Sequence, residues 1–262
     1  MQEPDGMVEG GRPSGWRIQK WDLHMWGWAI ALLLLSWATY TLWEKGHRWE
    51  SAEHWILTWT GGNGARGPLW YIGTILSDLG HGFFLASLLW VLWIHGLKVS
   101  RVQEGVLWLL IAGLVCALIK QVVDRDRPFG AGPYSWPSGH SAAVLSLALF
   151  MGTWVRKPWA IAFLSLGFLV GISRIVHLRH FPSDVLGGFS LAFFVGPLVR
   201  RVPLLLPSSL EGQKPRVVGL GIGLMVFLLG VQRLPSRPDL SVGFLGILLF
   251  LGLVGLLKER EA

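Results

Sequence analysis

The sequence has few charged residues, one cysteine and one asparagine. Charged residues make up 15% of the 262 residues, against about 25% in ordinary soluble domains, and this shortage argues against a soluble protein. A single cysteine, Cys116, excludes a disulfide within the chain. Asn63 is followed by Gly64 and Ala65, so the chain has no N-glycosylation sequon. Clusters of His, Cys or carboxylate residues with metal-ligand spacing are also missing. We therefore expect chemistry that uses no protein-bound metal or cofactor.

Long apolar segments take the place of the missing charges. Hydrophobic residues make up 52% of the chain, and the apolar runs are each long enough to cross roughly 30 Å of hydrocarbon. We therefore predict an all-α polytopic membrane helical bundle with eight transmembrane helices. The predicted spans are residues 23–43, 73–97, 104–123, 139–155, 159–178, 184–200, 217–232 and 242–257.

This pattern divides the chain into three regions. Residues 1–22 form a polar N-terminal tail, and since no cleavage site precedes the first apolar run, we expect that run to remain as a membrane anchor. Residues 23–200 contain six spans and form the predicted core. Residues 201–262 comprise a linker with Pro203 and Pro207, followed by a C-terminal transmembrane hairpin.

The net charge of +7 raises the question of a nucleic-acid partner. Because Lys and Arg are scattered over loop ends, we expect anionic membrane lipids as their counterpart and no nucleic acid. Outside the polar motifs described below, these residues are more numerous on the side that would hold both termini. This bias predicts cytoplasmic termini and motifs on the outer face. The charged, Trp-rich segment 43–60 is too polar to span and predicts an interfacial helix.

The first of three polar motifs lies at the end of the third span. Six residues separate Lys120 from Arg127, and Pro128 follows. An arginine offers a planar fork of donors for phosphate oxygens, and a lysine offers a compact charge. By itself the pair is more typical of basic side chains that snorkel at a membrane boundary. The charged residues 124–126 between them are interpreted as a solvated network without a role.

The second motif, Pro137-Ser138-Gly139-His140, opens the fourth span. A helix start has unpaired N–H groups and a partial positive charge, which suit an anion. Gly139 lets the backbone approach a ligand, and Ser138 can cap the helix or donate to a phosphoryl oxygen. These two residues alone are typical of ordinary capping. His140 favours the phosphate site, because it would lie beside the bound anion.

The third motif ends the fifth span at Arg174 and opens the sixth at Asp184. Arg174 offers a further phosphate ligand. Asp184 follows His180 by four residues, and the turn at Pro182 can return the carboxylate to an imidazole nitrogen. That contact would fix the tautomer and leave the other nitrogen free to attack. For Asp184 alone, stabilisation of the helix dipole is the simpler role, and Ser183 is predicted as the N-cap.

In this order and spacing, the three motifs resemble the signature of the type 2 phosphatidic acid phosphatase superfamily. That signature is Lys, six residues and Arg-Pro; then Pro-Ser-Gly-His; then Ser-Arg, five residues, His, three residues and Asp. Every defined position matches within residues 120–184. The resemblance implies a six-helix core, here about 23–200, with its site at the outer membrane face.

The resemblance also implies a role for each matching residue. His180 would form a phosphohistidine, Asp184 would orient it, and His140 would protonate the leaving group and then activate water. The residues implied to hold the phosphoryl oxygens are Lys120, Arg127, Ser138, Gly139 and Arg174. Asp78 and His81 are interpreted either as gatekeepers of the same pocket or as structural residues.

These observations predict a metal-independent phosphatase that hydrolyses a lipid phosphate or diphosphate monoester at a bacterial inner membrane. Undecaprenyl diphosphate is the first candidate substrate, followed by phosphatidylglycerol phosphate, phosphatidic acid and lipid A. A phosphotransferase that passes the phosphoryl group to a lipid acceptor is the alternative. A non-catalytic lipid-binding protein is a third interpretation, which the intact histidines disfavour. The last two spans could form a homodimer contact, a wall of the substrate entrance or simple packing.

Overall fold

A computed structural model describes residues 18–45, 51–52, 56, 68–94, 97–128 and 132–202. Every regular element in this part of the chain is helical, in agreement with the predicted all-α class. The first helix, α1, spans Lys20–Thr39 and continues as a π-helical turn over Tyr40–Glu44. The other helices are α2 (Pro68–Leu79), α3 (Gly82–Ile94), α4 (Val99–Val123), α5 (Gly139–Gly152), α6 (Lys157–Val176) and α7 (Pro182–Val199).

Four of the described helices are long and apolar enough to cross a membrane: α1 with its π-helical turn, α4, α6 and α7. The helix α5 is apolar but has 14 residues, fewer than the roughly 20 that a span needs. The fourth predicted span, 139–155, is therefore represented by a shorter helix. The two predicted spans of the C-terminal hairpin, 217–232 and 242–257, lie outside the described residues, as do residues 1–17 of the tail.

The second predicted span, 73–97, is not one continuous helix. It is divided into α2 and α3, which meet at Gly80 and His81 with an angle of 54° between them. The N–H groups of these two residues bond back to carbonyls three residues earlier, at 3.1 and 3.0 Å, instead of continuing the helical pattern. The pair is a broken span or a re-entrant loop. If the pair is counted as one span, the described residues contain five spans.

The helices α1 and α7 run antiparallel and are in extensive contact. Three interhelical hydrogen bonds set their register. They join Arg201 to Asp22 (2.7 Å), Ser190 to the Ala29 carbonyl (2.7 Å) and Ser36 to the Ser183 carbonyl (2.8 Å). Such polar contacts hold membrane helices together because lipid offers no alternative partner. The register places the C-terminal end of α1 beside the N-terminal end of α7.

The short helix α5 lies in the middle of the described bundle and packs against α4, α6 and α7. Most of its residues are buried, which explains why its sequence is apolar or small on all sides. Trp108 of α4, Phe150 of α5 and Val195 of α7 are fully buried at these contacts. The second motif, at the start of α5, is therefore surrounded by the helices that carry the other two.

A close backbone contact holds the start of α5 against α7. A Cβ atom on Gly188 would lie 2.5 Å from the carbonyl oxygen of Ser138 and 3.0 Å from Cβ of Ser141. Only glycine allows this approach without a shift of the backbone. Because Gly188 follows Asp184 by one helical turn, the contact also fixes the distance between the second and third motifs.

Candidate active site

The loop between α4 and α5 carries the first motif and folds back on itself. The helix α4 ends at Val123, and its C-cap residue, Asp124, has a left-handed φ of 38°. The N–H of Ser135 then reaches the Arg125 carbonyl at 2.7 Å, and the N–H of Arg127 reaches the Gly132 carbonyl at 3.0 Å. These two hydrogen bonds bring the chain back towards the end of α4.

The ammonium group of Lys120 contacts this loop. Its Nζ donates to the carbonyls of Tyr134 and Ser135, the second at 3.3 Å. An ammonium group has three donors, so these two contacts leave one for a phosphoryl oxygen. Lys120 thus makes specific contacts within the protein instead of snorkelling to the headgroups.

The connection between α6 and α7 positions His180. The Arg174 carbonyl near the end of α6 accepts the N–H groups of both Arg179 (3.1 Å) and His180 (3.3 Å). Leu178 has a left-handed φ of 52°, which turns the chain back towards the bundle. His180 is only 3% exposed, while Arg179 remains at the surface.

The carboxylate of Asp184 reaches back from the first turn of α7 to this connection. Its Oδ2 accepts the Phe181 N–H at 2.8 Å and lies 3.4 Å from Nδ1 of His180. The hydroxyl of Ser135 donates to the same oxygen. The expected His180–Asp184 contact is therefore present, with Nδ1 facing the carboxylate. The prediction of Ser183 as the N-cap is wrong: the cap is Phe181, and the third helical residue, Asp184, satisfies its N–H.

Direct hydrogen bonds join the three motifs into one cluster. Ser135 accepts from Lys120 through its carbonyl and donates to Asp184 through its hydroxyl, so it connects the first motif to the third. The N–H of Ser138 donates to the Asp184 carbonyl at 2.9 Å and connects the second motif to the third. The cluster lies where α4 and α6 end and where α5 and α7 begin.

The two small residues of the second motif differ in how well they match expectation. Ser138 is the N-cap of α5, but its side chain makes no capping hydrogen bond. Its fully buried Oγ instead accepts from the Ser141 hydroxyl at 2.9 Å. A Cβ on Gly139 would meet nothing closer than Sγ of Cys116, at an ordinary 3.7 Å. Packing alone does not require glycine at this position, which suits a role in admitting a ligand.

His140 lies in the first turn of α5, beside the break between α2 and α3. Its ring centroid is 5.7 Å from that of His81, with the planes inclined at 73°. His81, interpreted either as a gatekeeper or as a structural residue, thus lies next to the residue expected to transfer protons. Both rings are partly exposed, in contrast to the buried ring of His180.

The two arginines of the predicted phosphate site are held inside the protein to different extents. Arg174 is 6% exposed and donates to the Ser77 hydroxyl of α2. Arg127 is half-buried, and its Nε lacks a hydrogen-bond partner among the described residues. Burial lowers the pKa of Arg127, and the neighbouring Arg179 charge lowers it further, while Asp184 acts in the opposite direction. Two guanidinium groups close enough to repel each other are stabilised by a shared anion.

Burial controls the protonation of His180. Desolvation disfavours the imidazolium ion and is the main reason why the pKa of His180 is lowered to about 4. The hydrogen bond and charge of Asp184 raise this pKa, whereas Arg174 and Lys120 lower it. The ring is therefore neutral at pH 7, the state in which an imidazole nitrogen can act as a nucleophile.

The interpretation of Arg125 as part of a solvated network is wrong. Its side chain is 17% exposed, and its Nη1 donates to Oδ1 of Asp184 at 2.8 Å. Its Nη2 donates to Glu44, 81 residues earlier in the chain. Asp124 and Asp126, by contrast, are exposed as expected. Sequence reasoning missed Arg125 because its partners come from distant segments.

Two further site residues, Ser135 and Glu44, belong to none of the motifs. Ser135 ends the loop that follows α4, and only its position two residues before Pro137 could have suggested a role. Glu44 lies in the segment predicted as an interfacial helix, yet its side chain is 3% exposed. The π-helical turn at the end of α1 carries it into the protein.

The fold and the apolar helices define the class of the protein, a polytopic helical integral membrane protein. Comparison with known proteins identifies the family within this class. A family model described as the PAP2 superfamily matches residues 104–206, which include all three motifs. Phosphatidylglycerophosphatase B of Bacillus subtilis is 32% identical over 146 residues, which cover 48% of this chain and 71% of that protein. A lipid A 1-phosphatase of Porphyromonas gingivalis is 40% identical over 94 residues, which cover 34% of this chain and 20% of that protein.

A solved structure gives the same result. The crystal structure of a transmembrane PAP2 type phosphatidylglycerolphosphate phosphatase from Bacillus subtilis aligns with a TM-score of 0.51 and 26% identity. The alignment covers 70% of this chain and 95% of that chain. The chain belongs to the PAP2 superfamily. This result confirms the resemblance inferred from the three motifs. The relatives matched here are named as phosphatases.

Proposed function

We propose that the protein is a membrane phosphatase that releases phosphate from a lipid phosphate or diphosphate monoester through a phosphohistidine on His180. The observation that carries this proposal is the buried pair of His180 and Asp184, with 3.4 Å between Nδ1 and Oδ2. A carboxylate that faces Nδ1 fixes the tautomer in which Nε2 has a free lone pair. The low pKa of His180 keeps this nitrogen unprotonated at neutral pH.

Positive charge around this pair suits a phosphoryl group. Lys120 and Arg174 are close enough to influence the charge state of His180, and Arg127 lies close to Asp184. Phosphoryl transfer depends mainly on positioning and on stabilising charge on the equatorial oxygens. Three cations and the N-terminus of α5 supply that stabilisation from protein groups, so we expect full activity in the presence of EDTA.

The proposed reaction has two steps that share one acid–base residue. In the first, Nε2 of His180 bonds to phosphorus, the bond to the lipid oxygen breaks, and His140 gives that oxygen its proton. In the second, His140 takes a proton from water, the water oxygen bonds to phosphorus, and the bond to Nε2 breaks. Inorganic phosphate leaves and both histidines return to their starting states. A positioned acid–base group of this kind contributes on the order of 10²–10⁴ in rate.

The substrate proposed is a lipid, because the site lies at the ends of membrane-spanning helices, within reach of headgroups. One relative is named as a phosphatidylglycerophosphatase and another as a lipid A 1-phosphatase, and both names support a lipid phosphate as the substrate. The adjacent guanidinium groups of Arg127 and Arg179 favour an anion with more than one negative charge. All four candidate lipids present such an anion, and undecaprenyl diphosphate remains our first candidate, ahead of phosphatidylglycerol phosphate, phosphatidic acid and lipid A. We place the site on the periplasmic face of a bacterial inner membrane, with cytoplasmic termini.

Phosphate release from a panel of these four purified lipids tests the proposal. We expect His180→Ala to abolish turnover while the protein remains folded, because the variant lacks the proposed nucleophile. The matched control is His24→Ala, which removes an exposed histidine at the start of α1 and should leave turnover unchanged. Normal phosphate release by the folded His180→Ala variant would remove His180 from its role. Labelled phosphate appearing on an added lipid acceptor, instead of in solution, would favour the transferase, which gains no support from the named relatives.

A further inference from the structure

Two charged residues that are not defined positions of the three motifs, Glu44 and Arg125, pack against the proposed nucleophile pair. Their side chains are 3% and 17% exposed. Removing a carboxylate and a guanidinium from water is costly, and the cost is offset only by close pairing and further hydrogen bonds. Both residues make such contacts, and the contacts lead directly to Asp184.

The guanidinium of Arg125 is fixed in one orientation. Its Nη1 donates to Oδ1 of Asp184 at 2.8 Å and to the Ser183 hydroxyl at 2.7 Å, and its Nη2 donates to Glu44. The rings of Tyr40 and Phe181 lie against it, with centroids 4.8 and 4.4 Å from Cζ. Two carboxylates and two rings therefore hold the guanidinium of Arg125, which is why we do not count it among the residues that would bind the phosphoryl group.

The contacts of Asp184 are divided between its two oxygens. Oδ1 accepts from Arg125, whereas Oδ2 accepts from Ser135 and from the Phe181 N–H and faces His180. A carboxylate that turned part of the way about its Cβ–Cγ bond would move Oδ2 away from Nδ1 of His180. Because Arg125 holds Oδ1, it also fixes Oδ2 opposite the imidazole.

Glu44 holds Arg125 and the start of α7 together. Its Oε1 accepts the Ser183 N–H at 3.0 Å, and its Oε2 accepts from the Ser183 hydroxyl at 2.7 Å and from Arg125. Glu44 also balances the charge of Arg125. Without that balance, Arg125 would neutralise Asp184 and weaken its effect on His180.

We propose that Glu44 and Arg125 are positioning residues, through which the end of α1 fixes the orientation and the effective charge of Asp184 opposite His180. The proposal rests on the proposed function of the His180–Asp184 pair and extends it to a helix that contains none of the family motifs. It assigns the π-helical turn Tyr40–Glu44 the task of bringing Glu44 to the site.

Steady-state kinetics of Arg125→Gln and Glu44→Gln test this assignment. We expect kcat to fall on the order of 10²-fold in Arg125→Gln, as a small misplacement of a catalytic group can cost this much. In Glu44→Gln we expect a fall of about tenfold, the effect of one lost ionic hydrogen bond. In both variants KM should change little, because the phosphate ligands are untouched. Arg125→Lys should recover part of the loss, since one ammonium can still reach Asp184.

The pH dependence of kcat/KM separates positioning through charge from simple structural damage. Removing the positive Arg125 makes protonation of His180 easier, so the acidic limb should move to higher pH. Removing the negative Glu44 makes protonation harder, so the limb should move to lower pH. The other charged groups that act on this pair are the same in both variants and in the wild type: Lys120, Arg127 and Arg174. The ionisation of the substrate is likewise common to all three proteins.

The matched control is Arg201→Gln, which breaks the arginine–carboxylate pair at the opposite end of α1 and α7 and should change neither kcat nor the acidic limb. Equal kcat and an unmoved limb in Glu44→Gln would overturn the proposal, as would limbs that move in the same direction in both variants. If Arg125→Gln does not fold, Glu44→Gln and Arg125→Lys decide the question by the same criteria. Wild-type activity and its loss in His180→Ala are measured first, so a failure of the proposed function is recognised separately.

Discussion

The two ends of the α1–α7 pair use the same kind of interaction for different purposes. At one end, Arg201 pairs with Asp22 at 2.7 Å, and among the described residues no further charged side chain joins this ion pair. At the other end, Arg125 pairs with Glu44 and with Asp184, which in turn faces His180. One end therefore has a closed ion pair, while the other has a row of alternating charges that reaches a titratable ring.

The comparison shows how a structural contact differs from one that takes part in chemistry. Asp22 has its charge matched by one arginine, which also lies 5.3 Å from the Trp26 ring centroid. Asp184 shares its arginine with a second carboxylate, so part of its negative charge remains to act on His180. A buried ion pair alone is weak evidence of function, and the neighbouring imidazole makes the difference.

Among variants at the two ends of the α1–α7 pair, Asp184→Asn is expected to reduce activity the most. The amide keeps the size of the carboxylate but loses its charge and can present an N–H to Nδ1, which would favour the wrong tautomer of His180. We expect kcat to fall on the order of 10³–10⁴-fold. Phosphate release measures the fall, and vanadate binding shows whether the phosphate site is intact. A variant that binds vanadate and retains more than a tenth of the activity would show that Asp184 only caps α7.

A smaller effect on activity, with a larger effect on stability, is expected from Asp22→Asn. This variant leaves Arg201 without its partner at the closed end, and breaking a buried pair costs about 3–5 kcal/mol of folding free energy. We expect a lower midpoint of thermal unfolding in detergent, with kcat within about twofold of the wild type. A fall in kcat as large as that of Glu44→Gln would mean that the two ends of the pair are coupled, and the contrast between them would be lost.

The sequence was sufficient to predict the helical class, the family and the cluster of motifs. Apolar runs predict α1, α4, α6 and α7 because a helix that faces lipid must be apolar along its whole length. The His180–Asp184 contact was predictable since the two residues are only four apart, with the turn at Pro182 between them. These features depend on local spacing, which a single sequence displays directly.

The features that were missed depend on distant contacts or on packing inside the bundle. Glu44 meets Ser183 across 139 residues, and no spacing rule covers such a pair. The break at Gly80 and His81 was missed because the apolar composition continues through it. The short α5 was predicted too long, since the apolar residues after Gly152 pack against the core without continuing the helix. Ser138 was expected to cap α5 or to donate to a phosphoryl oxygen; it is the N-cap residue, but its buried hydroxyl makes no cap hydrogen bond and accepts from Ser141.

The smallest expected effect is that of lowering the pH from 7 to 5 on kcat/KM. With a His180 pKa of about 4, only about a tenth of the rings are protonated at pH 5, whereas nearly all would be at an ordinary pKa near 6.5. We therefore expect kcat/KM, calculated for the reactive ionic form of the substrate, to fall less than about twofold between pH 7 and pH 5.

Thermal unfolding in the same buffers is the control for this measurement. The unfolded chain takes up a proton on His180 near pH 6.5 and the folded protein only near pH 4, so stability declines as the pH falls through this window. Assays are kept at temperatures where the protein is folded throughout. If kcat/KM instead falls by more than tenfold while the protein remains folded, His180 is accessible to water and the burial that separates the site end from the closed end does not control its chemistry.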